Sequence, residues 1–333
     1  MNTKPADEAS DTRERYYQRL ADEQLAPLWV FFHDWFTPMP RVRSQPHRWR
    51  YRALRELILE SARIIDPAEA ERRVLVLENP GLAGRRLITE SLYAGLQLIM
   101  PGELAPSHRH TPAALRFVLE GAGAYTAVNG RRAYMAPGDF IVTPPWSWHE
   151  HGHEGDGPTV WLDVLDVAML HLFNATFTEL DPDGRHARDA AAAPTFHYPY
   201  AQAKQALDRL RGRSQADPCH GHRMEYLDSA TGGPAIPTIS TFLQSLPQDF
   251  QTQPYRSTAG TIFCVVEGTG TVDVGGDESA LSIAYAPWDV VVVPSWTPYA
   301  IRATTETTVF SASDQAAQQK LGIWREERVP VGE

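Results

Sequence analysis

The 333-residue sequence predicts an all-β protein made of two copies of one barrel, with a helical segment at its N-terminus. Three observations carry that reading. From about Val74 the chain breaks into strand-like runs of roughly five to eight residues, punctuated by Gly, Pro and Asn-Gly. The run "RFVLEGAGAYTAV" (116–128) returns as "FCVVEGTGTVDVG" (263–275), and "APGDFIVTPPWSWH" (136–149) returns as "APWDVVVVPSWTPY" (286–299). Both pairs stand in the same order at nearly the same separation, which is what a duplicated barrel leaves behind.

In chain order, Ser10 to Leu25 is polar and rich in Glu and Arg, with Tyr17, Leu20 and Leu25 as its apolar stripe, and reads as an amphipathic helix. The aromatic cluster "LWVFFHDWF" follows it. A second helix is expected over Arg52 to Ile65, stopped by Asp66-Pro67, because proline pushes the residue before it out of the helical region. Residues 1–73 are thus expected to form a helical segment and 74–180 the first barrel. Residues 181–240 are read as a connector with a short helix in "PYAQAKQALDRLRGR", and 241–333 as the second barrel and a tail.

A formal charge of -10 argues against nucleic acid as the main partner, and the basic stretch "RVRSQPHRWRYR" reads as a solvated surface. No run approaches the roughly 18 to 20 apolar residues of a membrane span, and the N-terminus has no apolar signal core, so the cytoplasm is the expected compartment. Two cysteines, Cys219 and Cys264, are too few for a disulfide framework and suit a reducing environment.

The chemistry is concentrated in "GELAPSHRHTPAALRFVLEG" (102–121), where His108 and His110 stand one residue apart. Alternate strand residues face one side, so the pair aims two imidazoles at one point. A metal held there needs further ligands. The order of Glu-Gly-x-Gly, hairpin, Pro-Gly-Asp and a β-branched strand resembles the two-motif pattern of the cupin superfamily. Five residues separate Gly102 from His108, and Gly138, Pro144 and His149 fit the second motif, with Trp146 in place of its last glycine. The resemblance implies a bicupin with His149 as the third ligand. The glutamate usual in the superfamily falls on Ala114. Three neutral imidazoles on one face of a metal leave the opposite positions free for substrate and O2, as nonheme Fe(II) ring cleavage requires. In register with these ligands the second copy has Tyr255, Ser257 and Tyr299, so it is expected to hold no metal and to complete the core and a subunit interface. "CHGH" (219–222) lacks companions of suitable spacing and reads as a loop.

The run "LYAGLQLIMPGELAPSHRHTPAALRFVLEGAGAYTAVNG", with "ERRVLVLENPGL", "SATGGPAIPTI" and "FSASDQAAQQKLGIWREER", is similar to gentisate 1,2-dioxygenase and its relatives acting on salicylate and 1-hydroxy-2-naphthoate. The resemblance covers most of the chain from about residue 50. It implies Fe(II), a homotetramer, and a site in which Arg72, Gln97, Arg116, His151 and Asp163 surround the metal. Arg116 shares strand parity with His110 and is suited to clamp a ring carboxylate; an arginine buried without an acidic partner is costly, and an anionic substrate answers that cost. Arg72 offers a second cation or a surface salt bridge. His151, two residues past His149, is suited to proton exchange, and Gln97 and Asp163 to hydrogen bonds with substrate or with a ligand histidine. His153 continues the alternation and is left unassigned.

The activity this implies is cleavage of the C1-C2 bond of gentisate to maleylpyruvate, with both atoms of O2 entering the product. Tyr93, Ala94 and Gly95, with Val74, occupy the segment where relatives of different ring preference differ. Tyr93 brings a hydroxyl to the pocket, which favours gentisate. Salicylate, substituted salicylates and a hydroxynaphthoate stay open as substrates. A non-catalytic cupin binding a small acid is the alternative from another class, though no helix-turn-helix pattern accompanies it.

Overall fold

The structure, a computed structural model, describes residues 6–70, 72–181, 196–275 and 281–328. The chain divides into two compact units between Arg41 and Val42. The first contains the helices Ala6–Asp22 and Leu28–Trp35, the second of which is the aromatic cluster itself. Among the described residues, no helix is long and apolar enough to cross a membrane.

The described strands of the second unit form four sheets, two to each barrel. One sheet of the first barrel runs His197–Tyr198, Phe140–Thr143, Ala114–Glu120, Thr159–Leu165, Tyr93–Ile99, Arg73–Val76. Its counterpart in the second barrel runs His47–Trp49, Val290–Val293, Thr261–Glu267, Thr307–Ser313, Ser240–Leu246, His222–Glu225. The other sheet of the first barrel contains Thr178–Leu180, Leu104–His110, His149–His153, Ala124–Val128 and Arg131–Tyr134. The matching five in the second are Glu326–Arg328, Tyr255–Ser257, Tyr299–Ala303, Gly270–Val274 and Leu281–Tyr285. The duplication seen in sequence is therefore a duplication of topology, strand for strand.

The two copies exchange their first strands. His47–Trp49 leads into the helix Tyr51–Ile64 of the first copy but pairs with Val290–Val293 of the second barrel. His197–Tyr198 leads into the helix Tyr200–Arg211 of the second copy but pairs with Phe140–Thr143 of the first. The residues read from sequence as a connector thus include strands of both barrels. The aspartates of "APGD" and "APWD" fix the exchange. Asp139 accepts from the backbone N–H of Tyr200 at 2.8 Å, and Asp289 from that of Tyr51 at 2.9 Å. Each carboxylate so satisfies an open N–H at the start of a helix belonging to the other copy. Asp166 and Asp314 repeat the reciprocity, accepting from the hydroxyls of Thr238 and Ser91. One continuous apolar core spans both copies, with Phe117 and Phe310 stacked at 4.1 Å between ring centres.

Candidate metal centre and substrate cavity

The strands Leu104–His110 and His149–His153 lie antiparallel, with His108 directly opposite His149. That register brings His108, His110 and His149 together, with one ligand nitrogen from each lying within 4.8 Å of the others. Trp146 stands where the second motif has a glycine, and its φ of 58° shows why a glycine suits the position. Its N–H donates to the carbonyl of His110 at 2.8 Å, tying the two motifs to each other. Arg109, pointing the other way, stacks over the Trp146 ring at 4.4 Å and pairs with Glu179.

Each ligand ring is held by a backbone carbonyl. His108 Nδ1 lies 3.1 Å from the Pro106 oxygen, His110 Nδ1 2.7 Å from that of Pro112, and His149 Nδ1 2.9 Å from that of Ser147. A carbonyl can only accept, so Nδ1 carries the hydrogen and Nε2 presents a lone pair. Burial, helped by nearby cations, lowers the His108 imidazole to about 3 and the His110 imidazole to about 4, and holds His149 well below its ordinary value. All three are neutral at pH 7, the form that ligates. His149 Nε2 is buried and without a hydrogen-bond partner, an orphaned lone pair that a metal ion satisfies. This donor set fits a metal with open positions, since no carboxylate joins it: Ala114 fills the place of the usual fourth ligand.

The triad opens on a cavity of about 1090 Å³, which Arg72, Tyr93, Gln97, Arg116, His151 and Asp163 also line. Every residue assigned from sequence is therefore on one cavity wall. An Arg72 amino group lies 3.0 Å from His108 Nε2, the ring nitrogen that can accept from it, and Arg72 lines the cavity. Arg116 is 4% exposed and donates through Nη1 to Thr143 Oγ1 at 2.5 Å, while its Nε has no hydrogen-bond partner. One premise needs correction. Arg116 does have an acidic neighbour, for Asp163 is its cross-strand partner and lies 3.7 Å from Nε. Burial pushes the Asp163 carboxyl up to about 6 against the pull of Arg116, and lowers the Arg116 guanidinium to about 10. Asp163 thus faces the Nε edge of the guanidinium from beyond hydrogen-bond distance.

His151 is buried and kept neutral by desolvation, with Nδ1 3.0 Å from Thr126 Oγ1. Tyr93 projects its hydroxyl over Gly95, where an added Cβ would lie 2.8 Å from that oxygen and 2.7 Å from Val74 Cγ1. His153 does not line the cavity; its ring accepts from Gly155 N–H and lies 3.1 Å from Thr159 Oγ1, a structural position. His220 packs on Tyr255 at 4.5 Å between ring centres and His222 Nε2 meets the Ser214 carbonyl, so the "CHGH" loop serves the second barrel. Three supporting residues escaped sequence reasoning: Thr126, Thr143, and Trp161, whose Nε1 donates to Asp163 at 3.0 Å. Strand parity placed them on the lumen face, but nothing in their identity marked them.

In the second barrel the register positions of the triad hold Tyr255, Ser257 and Tyr299, with Phe263 packed against Tyr299. The outer decoration persists there: Arg256 pairs with Glu327 and covers Trp296, whose φ is 54°. Among the described residues the first-barrel triad is the one group suited to a metal.

Close packing extends to the ligand strand. A Cβ on Gly152 would come within 2.5 Å of Tyr125 Cζ, and Tyr125 is itself covered by Arg132 at 4.0 Å. Gly152→Ala is expected to destabilise the protein by about 1–3 kcal/mol, seen as a lower urea midpoint with unchanged slope.

A cupin-domain family model matches residues 95–165. The chain is 44% identical to gentisate 1,2 dioxygenase 1 of Aquipseudomonas alcaligenes, over 98% of each chain. It is 31% identical to a 5-aminosalicylate 1,2-dioxygenase of Comamonas sp, over 93% of this chain and 89% of that one. Among solved structures, salicylate 1,2-dioxygenase from Pseudoaminobacter salicylatoxidans with gentisate superposes with a TM-score of 0.86 at 29% identity, covering 98% of this chain and 95% of that one.

Proposed function

Because the chain belongs to the gentisate 1,2-dioxygenase family of ring-cleaving cupin enzymes, we propose that it opens gentisate between C1 and C2 with O2 to give maleylpyruvate, at an Fe(II) held by His108, His110 and His149. The observation that carries this reading is the convergence of three neutral imidazoles, one with an orphaned Nε2, on a cavity whose wall includes Arg72 and Arg116. Bound there, Fe(II) supplies a chelating centre for the ring carboxylate and adjacent phenolate and a route for ring electron density to reach O2.

The chain's own residues do the rest. Arg116 grips the ring carboxylate through its guanidinium, while Thr143 holds Nη1 and keeps the fork from rotating. Arg72 adds a second positive charge beside His108. His151, neutral and anchored at Nδ1 by Thr126, exchanges a proton with the substrate through Nε2. Tyr93 and Gln97 hydrogen-bond the ring's oxygen substituents, and Asp163 steadies Arg116. The reading extends to a homotetramer working in the cytoplasm.

A hydroxyl para to the phenolate makes the ring a better electron donor, and the Tyr93 hydroxyl gives the pocket a polar wall to receive it. Gentisate is expected to exceed salicylate, 5-substituted salicylates and 1-hydroxy-2-naphthoate in kcat/KM by about a hundredfold, or roughly 2.7 kcal/mol. Absorbance of the ring-opened product under air measures this. A salicylate lacking the 5-hydroxyl in first place refutes the substrate while leaving the metal site and bond cleaved intact.

A further inference from the structure

We propose that Arg85 and Arg86 form an anion subsite at the cavity mouth, which captures an aromatic carboxylate from solution before it reaches Arg116. The proposal rests on the substrate being a ring carboxylate. Both residues line the cavity and are exposed, whereas Arg116 is deep within it. A chain with a formal charge of -10 repels an anionic substrate, yet this cavity inverts the balance. Arg72, Arg85, Arg86 and Arg116 face Glu90 and Asp163 as the charged Arg, Lys, Asp and Glu side chains on its wall.

Neither acid cancels the outer pair. Asp163 sits beside Arg116, and the Glu90 carboxylate is occupied by the N–H groups of Arg43 and Ser44 and the Ser44 hydroxyl. Among the described residues, neither the Arg85 nor the Arg86 guanidinium enters an ion pair or side-chain hydrogen bond.

The loop that presents the two arginines is built firmly. Asn79 is fully buried; its Oδ1 accepts from Gln45 and Gly81 N–H, and its Nδ2 donates to the carbonyls of Gln45 and Ile88. The Arg86 N–H donates to Glu78 at 2.7 Å, and Arg85 N–H to the Leu82 carbonyl at 2.9 Å. Arg86 has a φ of 58°, in the left-handed region where glycine is the unstrained choice, as Gly84 is two residues earlier.

The test is anaerobic stopped-flow binding of gentisate to the Fe(II)-loaded protein, followed by fluorescence at several ionic strengths. The double variant Arg85→Gln/Arg86→Gln is expected to bind about tenfold more slowly at low salt, with the dissociation rate little changed and the difference vanishing at high salt. Arg209→Gln, an exposed arginine on the helix Tyr200–Arg211 away from the cavity, is expected to leave the association rate as it is, which separates a local subsite from net charge. An unaltered association rate in the double variant overturns the proposal, as does a faster dissociation with normal association, which makes the arginines contacts of the final complex. If gentisate fails to bind the wild-type protein but salicylate binds with arginine-dependent association, the substrate named above fails and the subsite stands. Failure of every ring carboxylate to bind overturns both.

Discussion

His149→Ala is expected to yield a folded protein that holds no metal and shows no turnover. The imidazole is 1% exposed, with Nδ1 fixed by the Ser147 carbonyl, so its Nε2 is set before any metal arrives. Without it, His108 and His110 are two ligands on one strand, too few to hold a divalent ion against water. The fold survives because the apolar core that unites the two barrels lies apart from the triad and because the deleted ring leaves no polar partner unsatisfied except one backbone carbonyl. Elemental analysis of the purified variant, oxygen uptake and circular dichroism together measure the outcome. Tyr299→Phe, the same register position in the second barrel, is expected to keep the metal content of the parent. Stoichiometric metal in His149→Ala removes that residue from the ligand set.

Arg116→Lys is expected to lower kcat/KM for gentisate by about 10²- to 10³-fold, or about 3–4 kcal/mol, with metal content nearly unchanged. A lysine keeps the charge but has no planar fork, and in this pocket its single ammonium has Asp163 as a neighbouring carboxylate. The Thr143 hydroxyl loses its donor as well. The loss should fall mainly on the carboxylated ring. A ring analogue with its carboxylate removed, bound equally well by parent and variant, is the companion measurement, and if the parent binds that analogue as well as the acid, Arg116 is not the clamp.

The triad was legible because its signal is local. His108 and His110 share strand parity, the turn residues Gly102, Gly138 and Pro144 fix the frame, and the repeat displays the same frame with the ligands replaced. Arg116 and Asp163 could be placed on the lumen face by parity, but not opposite each other, since their register follows a bulge between Val160 and Trp161. That is why a costly unpaired arginine was expected where a paired one stands. The pairing of His47–Trp49 with Val290–Val293 was illegible for a different reason: three residues carry too little pattern to name a partner more than two hundred positions away. The aspartates of "APGD" and "APWD" were visible as a repeat, while their work at the other copy's helix depends on that distant pairing.

The exchange of first strands also constrains what this lineage can discard. With Tyr255, Ser257 and Tyr299 at the register positions of the triad, the second copy presents no counterpart of the first barrel's ligand set. The first barrel nonetheless depends on it, because the strand His197–Tyr198 and the N–H of Tyr200 that complete that barrel lead into the second copy. The two halves are interlocked: a deletion or a recombination point placed between the barrels removes a piece of each. Variation is therefore channelled into loops and the cavity wall, where ring preference can change without touching the joint that both halves share.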